Sequence, residues 1–231
     1  MCGIIGYFGN NNAVPLLIKG LKRLEYRGYD SAGIAIMENG SFTVTKKAGK
    51  VRELETLVKD SSIFGTVGIG HTRWATHGEP SDLNAHPHID HTGKFTLIHN
   101  GIIENYAVLK KMLEKKGIRL QTQTDTEVLV QLISTIYHEE KTTFEQAVIF
   151  ALQKVIGTYG VVIMCSDEPN QIIAARLGSP LVLGVGKGEY FLASDASPLV
   201  EHTRNVIYLE EGEFLTIGDD GYQIKKLENS Q

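Results

Sequence analysis

The 231-residue chain has only two cysteines, Cys2 and Cys165, and a single tryptophan, Trp74. Cysteines so far apart could pair only across the whole length of the chain. A disulfide scaffold is therefore excluded, and such sparse usage suits a reducing, cytoplasmic compartment. No apolar run approaches the roughly 18 residues of a membrane span, and the start lacks a basic region leading into an apolar stretch. Neither an anchor nor a secretory leader is expected. A cationic excess is also missing: 23 Lys and Arg face 27 Asp and Glu, interspersed, for a net charge of -4. That balance offers no stripe for nucleic acid and no patch for a membrane surface, which leaves small molecules or proteins as partners.

What the sequence does have is enough apolar material, 42% of residues, to fill the core of one large domain. Residues 3–9 read as a strand, and Val14, Leu17, Ile18, Leu21 and Leu24 recur at helical spacing, with Pro15 in the first turn. Residues 33–37 and 42–45 flank Glu38-Asn39-Gly40-Ser41, whose Asn-Gly pair predicts a tight hairpin. A short helix follows with Val51, Leu54, Leu57 and Val58, and then a strand over 66–73. From Trp74 to His91 there is no periodicity, and the stretch reads as a long functional loop.

A strand over 95–98 is expected to end at His99-Asn100-Gly101, before a helix carrying Val108, Leu109, Met112 and Leu113 and stopped by Gly117. Thr124-Asp125-Thr126-Glu127 matches a capping box ahead of a strong apolar stripe, Val128 to Tyr137. A second box, Thr142 to Glu145, predicts a helix that holds its period to Ile156 and stops at Gly157, antiparallel to the one before it. Strands are expected over 159–165, 171–176, 181–186, 190–194, 206–209, 213–217 and 222–226, joined mostly by short turns. Short links favour antiparallel pairing. With helices both early and in mid-chain, the consistent packing is two sheets sandwiched between helices, an α+β fold.

Cys2 is the first candidate for chemistry. Removal of Met1 would place a thiol and a free α-amine on one residue, a nucleophile with its own base, since the amine titrates near ~7.7–8.0 and a thiol near ~8.5. Asn100 and Gly101 combine a side-chain amide with a glycine N–H, two donors suited to an oxyanion, though an Asn-Gly pair also makes a plain turn. Arg73 could fork onto a carboxylate and Asp125 could receive an ammonium, together reading an α-amino acid. Singly, a loop arginine is usually solvated and a first-turn aspartate usually complements the helix dipole. Trp74 could close over a substrate or anchor the loop in the core. Six of the eight histidines lie between His71 and His99, but His86, His88 and His91 have no helical i, i+4 partner and no cysteine, so no metal is expected. Gly184 to Gly188 lacks the spacing of a phosphate-binding loop and reads as a hairpin turn.

With these residues in view, the chain closely resembles the class II, N-terminal-nucleophile glutamine amidotransferases, and within them the glutaminase domains of the glucosamine-6-phosphate synthase family. The narrower resemblance rests on Arg23-Leu24-Glu25-Tyr26-Arg27-Gly28-Tyr29-Asp30-Ser31-Ala32-Gly33, on His71 to Pro80, and on His99-Asn100-Gly101-Ile102-Ile103-Glu104-Asn105. It implies a four-layer αββα sandwich of mainly antiparallel sheets and one glutaminase domain over 1–231, with the sugar-isomerase part absent from this chain. It also implies Cys2 as nucleophile, Asn100 and Gly101 as oxyanion donors, and Arg73, Thr76, His77 and Asp125 on the glutamine zwitterion. His86 would organise the same pocket and Trp74 would gate it. The implied substrate is L-glutamine, with fructose 6-phosphate reached only through the missing isomerase part. Neither a cofactor nor a metal is implied. A homo-oligomer is implied for a full-length protein, while a monomer stays open for this fragment. The alternatives are the glutaminase domain of another class II amidotransferase, a non-catalytic glutamine-binding module, and an amidase for another acyl substrate.

Overall fold

The computed structural model describes residues 2–74 and 78–227. Thirteen strands and five α-helices follow one another among these residues. β1 (Gly3–Phe8) leads into α1 (Ala13–Leu24), which is capped by the Asn12 side chain accepting from Val14 N, and a 3₁₀ turn over Glu25–Arg27 follows. β2 (Ser31–Glu38) and β3 (Ser41–Ala48) form the expected hairpin. Both turn residues adopt positive φ, 51° at Asn39 and 77° at Gly40, as a two-residue turn of this hand requires. After α2 (Val51–Lys59) and β4 (Val67–Arg73), β1 pairs with β4 on one side and β10 (Tyr190–Ala193) on the other. The first sheet thus runs β11 (Val206–Tyr208), β9 (Val182–Val185), β10, β1, β4, β2, β3. The second runs β13 (Gly221–Lys226), β12 (Glu213–Gly218), β8 (Glu168–Leu177), β7 (Gly157–Cys165), β6 (Phe95–Ile103), β5 (His88–Ile89). Among the described residues the ladders between these strands are antiparallel, as short connections favour, beside one isolated parallel bridge from Tyr159 to Gly178.

Three separate hydrophobic cores define four layers. Leu17, Leu21, Leu54 and Val58 of α1 and α2 pack on Ile5, Tyr7, Ile34 and Ile36 of the first sheet. On the far side α3 (Tyr106–Lys115), α4 (Asp125–Glu140) and α5 (Phe144–Leu152) cover Phe95, Leu97, Val161, Ile163 and Phe214 of the second. Between the sheets lie Ile4, Phe8, Val67 and Ile69 against Ile98, Val162, Met164, Ile172 and Leu215. Strands buried on both faces send alternate residues to the helices and to the sheet interface. On β1 the even positions face the interface, on β4 the odd ones, and on β6 Ile98 does so while Phe95 and Leu97 face α4. The αββα sandwich anticipated from the sequence is the observed fold.

Three local expectations need correction. β6 does not end at His99. It continues to Ile103, with Asn100 opposite Gly160 and Gly101 opposite Tyr159 of β7, because the glycine-rich start of β7 accommodates its irregular backbone. α5 stops at Leu152, four residues early. The amides of Lys154 and Val155 turn back only three residues, to Ala151 O and Leu152 O, and the Ile156 N–H goes to Asn105 Oδ1, leaving the Ile156 side chain 62% exposed. Its cap is also shifted by one residue: Thr143 receives Gln146 N, whereas Thr142 bonds the Gln146 side chain. The stretch after Trp74 is not an open loop throughout, since Asn84, Ala85, His86, His88 and Asp90 are buried and β5 adds the segment to the sheet edge.

This strap lies against β2 where Gly33 has no side chain, and a Cβ there would sit 2.2 Å from the His86 carbonyl oxygen. Gly33→Ala must therefore separate strap and strand. We expect a loss of about 1–3 kcal/mol in urea unfolding, the usual scale of overpacking; an unchanged midpoint would show that the two part freely.

Candidate active site

The strand faces decide which side chains can meet. Cys2 continues the even, inward-facing series of β1; His71 and Arg73 continue that of β4 beyond Val67 and Ile69; Asn100 follows Ile98 on β6. Where the apolar filling between the sheets runs out, these four polar residues replace it.

The half-buried Cys2 sulfur is embraced by the backbone of Trp74, whose N–H donates to Sγ at 3.2 Å while the thiol faces Trp74 O at 3.7 Å. Asn100 Nδ2 donates to the Cys2 carbonyl at 3.0 Å. Burial pushes the Cys2 thiol up, opposed by the Trp74 N–H and the Arg73 charge. Gly101 has φ +135°, and a Cβ there would lie 2.1 Å from Thr158 O, so the position beside Asn100 admits only glycine.

Arg73 is not a solvated loop arginine. It ends β4, is 4% exposed, and its guanidinium donates to Gly78 O at 3.3 Å and Glu79 O at 3.4 Å. Burial disfavours its charge, and Cys2, Asp30 and Asp125 act the other way. Asp125 stands in the first turn of α4 and accepts from Ile103 N at 2.8 Å, tying that helix to the end of β6. A cavity of about 280 Å³ opens beside it, lined by Ile102, Ile103, Glu104, Tyr106 and Gln123. Trp74 is 45% exposed and meets Tyr29 edge-on at 5.4 Å, which excludes the core-anchor reading. Thr76 and His77 lie outside the described residues.

His86 meets the site through His71. Its ring stacks on His71 at 4.1 Å and its Nε2 meets Thr126 Oγ1 at 2.9 Å. The same hydroxyl meets His99 Nδ1 at 3.1 Å, and His88 Nε2 meets Thr124 Oγ1 at 3.1 Å. His71 Nε2 lies 3.0 Å from Asn100 Oδ1 and 3.2 Å from His99 O. Sequence reasoning assigned no role to His71, His99 or Thr126. The available signal was a polar residue at an inward position of an otherwise apolar alternating strand, as in Val67-Gly68-Ile69-Gly70-His71. Glu127 likewise leaves its predicted box: Thr124 Oγ1 receives Glu127 N, but the carboxylate reaches back to the amides of Gln121 and Thr122.

Residues 59–217 match the model of the glutamine amidotransferase domain. The chain belongs to the glutamine amidotransferase domain family, in its class II branch of N-terminal nucleophiles. Among curated relatives it is 55% identical over 231 residues to a glutamine–fructose-6-phosphate aminotransferase (isomerizing) of Bacteroides thetaiotaomicron, covering 100% of this chain and 38% of the relative. A relative of the same description from Chlorobaculum tepidum is 54% identical, with 99% and 38% covered. The chain thus spans well under half the length of these relatives. Among solved structures, glutamine phosphoribosylpyrophosphate amidotransferase from B. subtilis, complexed with ADP and GMP, superimposes with a TM-score of 0.85 at 29% identity, over 98% of this chain and 49% of that one. A second, described as the allosteric regulatory enzyme of purine biosynthesis, gives 0.87 at 30% identity, over 98% and 49%.

Burial holds the His71 imidazole down at about 3, His86 and His88 well below the ordinary value, and His99 below it. The unfolded chain takes up these protons near ~6.5, so below that pH it binds more protons than the folded one. Stability is therefore full above about pH 6.5 and drains as pH falls toward the folded values, by roughly 1.4 kcal/mol per pH unit for each histidine held neutral. The thermal midpoint should fall clearly between about pH 7.5 and about pH 5; a flat profile would mean that these rings are protonated in the folded protein.

Proposed function

We propose that this domain hydrolyses the side-chain amide of L-glutamine, with Cys2 as nucleophile once Met1 is removed. The observation that carries this reading is the meeting of Cys2 and Asn100 at one edge of the sandwich, 3.0 Å apart through the Cys2 carbonyl, beside the buried Arg73. A thiol pushed up by burial is protonated at neutral pH and needs a base, and the freed α-amine of the same residue supplies one. The amine takes the thiol proton and sulfur attacks the amide carbon. The Asn100 side chain and the Gly101 N–H stabilise the resulting oxyanion. Collapse returns the proton to the leaving nitrogen, ammonia departs, and water cleaves the thioester to glutamate. Arg73 takes the α-carboxylate and Asp125 the α-ammonium, with Thr76 and His77 joining the carboxylate contact and Trp74 gating the cleft. By analogy with the curated relatives, the ammonia serves transfer to fructose 6-phosphate in a longer, cytoplasmic and homo-oligomeric protein, of which this is the glutaminase domain.

The test is glutamine hydrolysis with labelling by a glutamine analogue carrying an electrophile at the side-chain carbonyl. One adduct at Cys2 is expected. Cys2→Ala should abolish turnover without unfolding the domain, and Cys165→Ala, which removes a buried thiol pushed up to about 11, should retain most of it. Measurable glutamine binding without any adduct would instead indicate a binding module. Arg73→Ala should chiefly raise KM, as loss of a contact equally strong in ground and transition states does; an isolated kcat loss would sink that role. Full turnover by protein shown by mass spectrometry to retain Met1 would exclude the amine as base.

A further inference from the structure

We propose that His71 is a positioning residue for the oxyanion donor: its Nε2–H holds the Asn100 carboxamide in the one orientation that turns the NH₂ group toward Cys2. This inference rests on the glutaminase reading of the site. Two independent determinations fix the hydrogen bond's direction. The Cys2 carbonyl can only accept, so the Asn100 atom 3.0 Å from it is the nitrogen, and Oδ1 is left facing His71 at 3.0 Å. His71 Nε2 also faces the His99 carbonyl at 3.2 Å, a second oxygen that can only accept, so Nε2 must carry the proton. The other ring nitrogen, Nδ1, is buried and has no hydrogen-bond partner, so no contact there competes for the proton.

The consequence is specific to catalysis. An amide nitrogen carries two hydrogens. One is held by the Cys2 carbonyl, and the second remains for an oxygen that gains charge beside the sulfur. A flipped carboxamide would set Oδ1 against the Cys2 carbonyl and aim a partial negative charge at that developing oxyanion. His71 touches no reacting atom and acts only through Asn100. It can do so because it enters from the first sheet, opposite Gly33, while Asn100 belongs to the second. The stacking of His86 on its face keeps the ring from turning.

The experiment compares wild type with His71→Leu, His71→Gln, Asn100→Ala and the His71→Leu/Asn100→Ala pair, all with a free Cys2 amino terminus, in steady-state glutamine hydrolysis. Loss of an oriented oxyanion donor predicts that His71→Leu lowers kcat roughly a hundredfold with KM nearly unchanged. His71→Gln places an amide N–H₂ near the former Nε2 and should recover about tenfold, and the double variant should be little worse than Asn100→Ala alone, because the two act as one unit. Equal activity in the Leu and Gln variants, additive losses, or a loss confined to KM would overturn the role of His71 while wild-type turnover kept the glutaminase reading intact. Inactive wild type, with no label at Cys2, would overturn both. Should the buried substitutions prevent folding, ¹⁵N-histidine NMR of the wild type decides: protonated Nε2 and bare Nδ1 at His71 are expected, and the opposite tautomer would refute the proposal.

Discussion

The carboxamide of Asn100, bonded on one side to the carbonyl of Cys2 and on the other to His71, ties two β-sheets together where their shared core ends. Everything else in the site is set by how those sheets are held. Cys2 leads into β1 of the first sheet, which also holds His71, and Asn100 belongs to the second, so the distance between the Cys2 carbonyl and the Asn100 carboxamide is a distance between layers. It is maintained by the apolar filling from Ile4, Ile69, Ile98, Val162 and Leu215, all fully buried. Close-packed interiors yield little, and a clamp built on them is pre-organised. The polar residues occupy the positions at which the inward-facing series of three strands runs off the end of that filling.

The layer scheme could be read from the sequence because both periods were clean. Val14 to Leu24 and Val128 to Tyr137 carried helical spacing, the Asn39-Gly40 turn specified a hairpin, and short links forced antiparallel pairing. Cys2, Arg73 and Asn100 were also legible, as residue types suited to one chemistry. What was hidden depended on tertiary partners. Asn100-Gly101 looks like a turn because an Asn-Gly pair usually is one, yet Gly101 with φ +135° stays in the ladder opposite Tyr159, with Gly160 of β7 opposite Asn100. The helical period through Val155 and Ile156 is real, but the Asn105 side chain captures the Ile156 amide and ends α5 early. The strap from Asn84 to Asp90 reads as polar loop by composition and is buried because its histidines find hydroxyls and aromatic faces that no local pattern announces.

On the proposed function, Arg73 and Asp125 are the two charges that meet the substrate's zwitterion. Arg73 is buried beside a thiol that burial pushes up, and Cys2, Asp30 and Asp125 support its charge. Buried charges are costly unless matched. A ligand bringing a carboxylate to Arg73 and an ammonium to Asp125 would add an opposite charge at both, whereas a simple amide would add neither. This is the physical ground for preferring an α-amino acid over other acyl substrates on the same fold.

The histidines behind the cleft add a direction to that arrangement. His99 Nε2 faces the Thr158 carbonyl at 3.3 Å, which can only accept, so this nitrogen holds the proton and Nδ1 is bare. Thr126 must then donate its single hydroxyl proton to His99 at 3.1 Å, since the alternative oxygen on Asp125 lies at 3.5 Å. Having given that proton, the hydroxyl can only accept from His86 Nε2 at 2.9 Å, which leaves His86 Nδ1 bare and, as found, without a partner. The chain from His86 through Thr126 to His99 thus has one consistent polarity with every ring neutral, in keeping with the burial that holds these imidazoles below their usual range. Thr126 follows Asp125 in the first turn of α4, and His99 precedes Asn100 on β6. One network of neutral rings therefore borders both Asp125, proposed to receive the ammonium, and Asn100, proposed to stabilise the oxyanion, and a proton added anywhere along it would disturb the two together.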